Sequence, residues 1–226
     1  MIAQVEKRTR LRPVIIWGGR GHAKVLNEFL PLLGYRVVAV FDNDPHVTSP
    51  LAGVPLFRGL GGFEDWRASS AAVSVFALVA IGGHRGQARI QIHQQLAEHG
   101  IEPLTVIHPR AFVADDAILG AGSQVLAQAA VCAEAVLGRA CIINTNASVD
   151  HESVLGDGVH VAPGATITGC VSIGDYSMIG AGAVVMPRIK IGHNVIIGAG
   201  AVVTRDVPDG KVAFGNPARI IRDNES

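Results

Sequence analysis

A count of six restricts this chain more than anything else in it. From Ile107 onward, every sixth residue is Ile, Leu or Val for 17 consecutive steps, through Val113, Leu119 and Val125 to Val203, with no insertion. The fourth place after each is also restricted, to Ala, Ser, Cys, Val or Ile, as at Ala111, Ser123, Cys141, Val159, Ala183 and Val207. Six matches neither the helical period of 3.6 nor the strand period of 2. It matches a parallel β-solenoid, in which one short strand and one corner recur on each face of a prism. The small position and the following aliphatic then point inward, with one outward residue between them. The next three residues turn the corner, and the 27 glycines suit a fold rich in tight corners.

Composition excludes several functions. Charged residues make up 17% of the chain and the net charge is zero, so there is no basic footprint for nucleic acid. The longest apolar run, near Val75 to Ile81, is far too short to span a membrane. The first ten residues carry charge and lack the apolar stretch of an export signal. Cys132, Cys141 and Cys170 have no metal-binding spacing and leave one unpaired, which points to a reducing cytoplasm. Cys141 falls on an inward small position and reads as packing.

The first 105 residues read differently. Residues 13–17 form a buried parallel strand that runs into Gly18, Gly19, Arg20, Gly21 and His22, then a helix over 23–33. A second strand over 36–41 ends in Asp42 and Asp44. A third over 75–82 precedes Gly83 and His84, then a polar helix to His99. Strand, glycine loop, helix, strand and acidic end follow the logic of a nucleotide-binding βαβ unit. The glycine loop lacks full GxGxxG spacing, so the alternative is a tight strand-to-helix turn.

Together, GGRGHAKV, FDNDP and the hexads resemble the bacterial hexapeptide-repeat sugar acyltransferases, over most of the chain. That group includes nucleotide-sugar N-acetyltransferases and sialic acid O-acetyltransferases. The resemblance implies a Rossmann-like α/β domain over 1–105 and a left-handed parallel β-helix with three hexads per coil over 106–208. A tail over 209–226 closes the helix. It also implies acetyl-CoA as co-substrate, no metal, and a homotrimer with sites between subunits. The small domain holds the nucleotide of the acceptor, making Gly19, Gly21, His22, Asp42 and Asp44 contacts, with Gly83 and His84 less firmly placed.

With three hexads per coil, corners on one edge recur every 18 residues, stacked about 4.8 Å apart. Asp150, His151 and Glu152 make one corner, and Thr168, Gly169 and Cys170 lie on the same edge one coil on. Acyl transfer needs a base for the attacking group and a donor for the oxyanion. Histidine ordinarily titrates in the right range, and a glycine corner leaves its N–H open. In the resembled family the base is the histidine of such an acid–His–acid triplet. Glu152 is the first choice to support the ring and Asp150 the second.

A second edge carries Asn144, Ala162, Gly180, Ala181, Gly198 and Ala199, a column of mostly small residues that suits the pantetheine arm. His160 occupies an outward strand position on a flat face away from His151. The resemblance gives it an acyl-CoA contact reached across a trimer. Pro217 and Arg219 belong to the segment that closes the helix near the adenine. Arg188, Lys190, Arg205 and Arg219 are phosphate candidates, and residues 223–226 read as frayed.

The expected activity is acetyl transfer from acetyl-CoA to the amine of a nucleotide-linked 4-amino-4,6-dideoxyhexose, in surface-glycan or O-antigen synthesis. The competing readings are O-acetylation of sialic acid, a non-catalytic trimeric scaffold, and a carbonic-anhydrase-like metal protein. The last lacks a third histidine for its zinc.

Overall fold

The computed structural model describes residues 11–70 and 74–225. The charged leader over 1–10 lies outside the described residues, as does Ser226. Five strands form the first sheet: β1 (Arg12–Trp17), β2 (Tyr35–Asp42), β3 (Leu56–Arg58), β4 (Phe76–Val79) and β5 (Glu102–Pro103). All run parallel, in the order β3-β2-β1-β4-β5. Helices α1 (Gly21–Phe29), α2 (Gly59–Ser69) and α3 (Gly86–Glu98) cover it. A short 3₁₀ turn over Leu30–Leu33 extends α1, so the helical stretch expected over 23–33 is present with a tightened end.

The period of two along β1 decides which layer meets which. Val14 and Ile16 pack with Ala23, Leu26 and Phe29 of α1, and the same cluster takes in Leu126 and Ile142 of the solenoid. Ile15 and Trp17 face the other way, into Phe41, Phe63, Trp66 and Leu96. β3, α2 and β5 were not anticipated. β3 and β5 are only three and two residues long and lack a period of their own.

From Val106 to Val203 the chain winds as two-residue strands in three parallel sheets. Ile142 pairs with His160 and Val149 with Ile167, an offset of 18 residues in each case. The hexad aliphatics and the small positions form one continuous buried core. Inward serines keep it satisfied. Ser123, Ser153 and Ser177 donate to corner carbonyls (Gly138, Thr168 and Gly192) and accept the N–H of Cys141, Val171 and Val195. The first coil departs most from the pattern, with Ile189 near the far end also half-buried. Ile107 is 37% exposed and Val113 and Leu119 are half-buried, because no coil precedes them.

The third residue of most corners takes the left-handed conformation. On the edge that carries His151 these are Glu134, Glu152, Cys170 and Arg188, none of them glycine. Each bears a local cost of order 1–2 kcal/mol, which the surrounding coil offsets.

The solenoid ends in a hairpin. Lys211–Phe214 pairs parallel with the strand at Ile196–Ile197, and Arg219–Asp223 returns antiparallel. This corrects the expectation of a frayed tail. Asp223 is in a strand and ion-pairs with Lys211, and the Asn224 side chain donates to Asn194 O.

α3 lies along one solenoid edge, and Arg89 fastens it there. The guanidinium is fully buried and donates to the carbonyls of Ile81, Ala140 and Gly158. No carboxylate among the described residues meets it, and burial lowers its pKa to about 10, which still leaves it charged at neutral pH. Beside it Gly86 and Gly158 approach so closely that a Cβ on either would meet the other's backbone. Removing the guanidinium strands three carbonyls. Arg89→Leu is therefore expected to cost about 3 kcal/mol or more, read as an earlier urea midpoint. Arg139→Leu, at the exposed pair with Asp157, is expected to cost less than about 1 kcal/mol.

Candidate active site

The sheet order places a switch point between β1 and β4, whose following loops diverge. A cleft of about 730 Å³ opens there, lined by Gly18, Arg20, His22, Asp42, Asn43, Asp44, Ala80, Ile81, Gly82 and Arg85. It differs from the sequence reading in detail. Asp42 does not present a free carboxylate: one oxygen accepts the N–H of Gly19 at 2.6 Å and the other that of Asp44 at 2.9 Å. It shapes the loop. Asp44 is the more available acid and ion-pairs with Arg20 across the cleft wall. The N–H of His46, first, and Arg20 hold its pKa below the ordinary range. Gly21 begins α1 beside the cleft without lining it. His84 is exposed and outside the lining, and Gly83 is turned to the solenoid, so the loop after β4 contributes Gly82 and Arg85 instead.

The floor of the junction is a chain of polar side chains. His22 Nε2 lies 2.7 Å from Gln124 Oε1, and Gln124 Nε2 donates to the Val79 carbonyl. His160, one coil beyond Ile142 on the same flat face, accepts the Gly83 N–H at Nδ1, and its Nε2 lies 3.1 Å from the Asn144 amide. The count correctly put His160 on a face away from the His151 edge, but the expectation of an outward-reaching side chain is overturned. It is 5% exposed beneath its own α/β domain. Burial first, then the charge of Arg89, lowers the pKa of His160 to about 3 and that of His93 to about 4, and also lowers that of His22 despite its bond to Gln124. These three histidines are neutral at physiological pH.

The edge opposite that face carries the other constellation. His151 Nδ1 lies 2.9 Å from Glu152 Oε2. Asp150 turns away from the ring and accepts the backbone N–H of His151 instead. Of the two carboxylates, Glu152 is the one in hydrogen-bond reach of the ring. The bond from His151, then one from Cys170 Sγ at 3.6 Å, lowers the pKa of Glu152. Nε2 of His151 faces the next coil, where a Cβ at Gly169 would fall inside its contact distance. The Gly169 N–H donates to no backbone acceptor among the described residues. A proton acceptor and an open amide donor thus stand together at an exposed corner.

The small-residue column is less open than its sequence suggested. Gly180 and Gly198 are buried, and Gly180 is small because the next coil's backbone passes directly over it. The Phe214 ring closes over Gly198, leaving Ala181 and Ala199 as the exposed members. Asn144 turns one amide atom to Thr145 N–H and the other towards His160. Arg188 and Lys190 are exposed; Arg205 and Arg219 line a pocket of about 160 Å³ near the hairpin, and Pro217 is exposed beside it. Arg20, Arg85, Arg89 and Gln124 were missed because no local motif marks them.

Residues 13–96 match the PglD N-terminal domain and residues 170–205 the bacterial transferase hexapeptide (six repeats). A perosamine N-acetyltransferase from Caulobacter crescentus, solved as a histidine-to-asparagine variant with CoA and GDP-perosamine, is 38% identical. That match covers 93% of this chain and 97% of the relative, with a TM-score of 0.85. The chain belongs to the hexapeptide-repeat sugar acyltransferases. The coils of this acyltransferase are accordingly a left-handed β-helix. The acetyltransferase domain of PglB from Neisseria gonorrhoeae is 34% identical, over 93% of this chain and all of that one, with a TM-score of 0.81. WeeI from Acinetobacter baumannii is 27% identical over the same shares, with a TM-score of 0.77. Among curated proteins nothing matches.

The neutral histidines set a pH dependence. Unfolding restores His93 and His160 to an ordinary pKa near 6.5, so below that value the unfolded chain binds more protons and native stability falls with pH. Each contributes a slope approaching about 1.4 kcal/mol per pH unit between about pH 6 and 5. His93→Phe is expected to flatten the decline in urea midpoint measured at pH 7, 6 and 5. An unchanged slope would show that His93 is already charged in the native state.

Proposed function

We propose that this protein moves acetyl from acetyl-CoA to the amine of a nucleotide-linked amino sugar, a 4-amino-4,6-dideoxyhexose on GDP or UDP. The observation that carries the reading is the His151–Glu152 pair standing over the Gly169 N–H, in a chain 38% identical to an enzyme solved with CoA and GDP-perosamine. The neutral amine attacks the thioester carbonyl directly. His151 Nε2 takes the proton released at nitrogen, and Glu152 steadies the imidazolium through Nδ1–H. The Gly169 N–H donates to the oxyanion of the tetrahedral intermediate. Its collapse breaks the C–S bond, forms the amide and expels coenzyme A as thiolate.

The working unit is a homotrimer. The cleft lies against the sheet that bears Gln124 and His160, whereas His151 turns the corner between the other two sheets. One chain therefore keeps its acceptor cleft and its base on opposite sides of the prism, and a second copy brings them together. The described residues contain no helix long and apolar enough to cross a membrane, and we place the reaction in the cytoplasm, in surface-glycan or O-antigen synthesis.

Purified protein with acetyl-CoA is expected to acetylate GDP-perosamine or a UDP-4-amino sugar, monitored by thiol release and product mass. Turnover of free sialic acid alone would overturn the reading. His151→Ala is expected to leave the assembly intact by light scattering and to lower kcat by roughly 10²-fold or more. Near-normal turnover would remove His151 from the role of base.

A further inference from the structure

Among the described residues, one group of side chains has metal-ligating geometry, and it lies at the base itself. His151, Glu152 and Cys170 each offer one ligand atom, and these atoms all fall within 4.8 Å of one another. Nδ1 and Oε2 are 2.9 Å apart, and Oε2 and Sγ 3.6 Å. A tetrahedral zinc with bonds of about 2.0 Å to nitrogen and oxygen and about 2.3 Å to sulfur holds such ligand atoms about 3.3–3.6 Å apart. The Glu152–Cys170 distance is already at that spacing and the His151–Glu152 distance needs to open by about 0.4 Å. Its mixture of thiol, imidazole and carboxylate selects zinc over magnesium or calcium. Three protein ligands with a fourth position facing solvent describe a site that exchanges its metal.

Accordingly, we propose that His151, Glu152 and Cys170 form an inhibitory site for zinc(II), built on the catalytic corner of a single chain. The proposal rests on His151 being the base. Its physical content is a competition for one lone pair. Catalysis needs the ring proton on Nδ1, held by Glu152, with Nε2 free to accept. Zinc on Nδ1 requires that lone pair, so the ring proton moves to Nε2 and the nitrogen facing Gly169 can no longer take a proton. The Cys170 thiol gives its proton to solvent as the Zn–S bond forms, so one proton leaves per metal bound. No electrons are transferred. This differs from the carbonic-anhydrase arrangement, in which histidines meet across a subunit boundary and zinc is required for activity.

The left-handed corner conformation makes the site possible. Glu152 and Cys170 are the same corner position one coil apart, with φ of 57° and 61°. Their side chains therefore leave the edge in parallel and converge on the imidazole from the preceding residue. In the coil before, that position is Glu134, and in the coil after it is Arg188, so the thiol occurs only beside the histidine.

The test uses the full-length protein, stripped with a chelator and kept reduced with a phosphine, and buffered free zinc alone as the probe. Competition against a chromophoric chelator is expected to give one zinc per chain, and turnover, assayed at the same free zinc, should fall in step with occupancy. Cys170→Ser and Glu152→Gln are each compared with themselves in zinc-free buffer, and each is expected to weaken both binding and inhibition about tenfold or more. Equal zinc affinity in wild type and both variants, or full occupancy without loss of turnover, would overturn the site. The two readings fail separately. Activity in the chelator that survives His151→Ala removes the base, whereas activity that needs His151 but ignores zinc removes only the metal site.

Discussion

The buried guanidinium of Arg89 is the contact on which the geometry of this molecule depends. A lone buried charge is tolerated only where it is hydrogen-bonded, and here each of the three nitrogens donates to a carbonyl. Those carbonyls belong to the loop after β4 and to two successive coils. One side chain thus fixes the edge of the cleft to the pitch of the solenoid. Paired with a carboxylate, the same cation would have bonded locally and left that register free. Carbonyls spread over two domains make the register part of the hydrogen-bond count.

A fixed cation with no counter-ion among the described residues also dictates what its neighbours are. His22, His93 and His160 each feel Arg89 as a repulsion that adds to their burial. The polar atoms of His22 and His160 serve as neutral donors and acceptors, in the contact of His22 with Gln124 and the acceptance of Gly83 N–H by His160, whereas both ring nitrogens of His93 are buried without a partner among the described residues. His22 and His160 therefore act as rigid polar spacers at the junction beneath the cleft. His151 sits on the far edge, away from Arg89.

Legibility in the sequence divides along the same lines. The solenoid was readable because each coil repeats one physical requirement, a small residue and an aliphatic pointing inward, and the unit of 18 then placed His151 over Gly169. The choice between Asp150 and Glu152 was not readable, since it depends on the left-handed φ of the third corner residue, which swings Glu152 to the ring while Asp150 caps the backbone. His160 was placed on the correct face and given the wrong surroundings, because a hexad does not record which face a second domain covers. Asp42 shows the limit of motif logic. An acidic residue at the end of β2 suggested a ligand contact, yet the fold uses both of its oxygens to hold Gly19 and Asp44.

The prism itself explains why the proposed chemistry needs more than one chain. Three flat faces meet at three edges. The α/β domain, docked through α1 and Arg89, takes one face and an adjoining edge. Two edges remain: the one opposite the covered face carries the exposed acid–His–acid corner, and the other carries the small-residue column. Acceptor cleft and base are thus separated by the width of a solenoid whose core is packed solid, so no loop movement within a chain closes the distance. A neighbour laid alongside does so with no change in either part. The regularity that made the fold legible from a count of six is what gives the proposed site its need for a second chain.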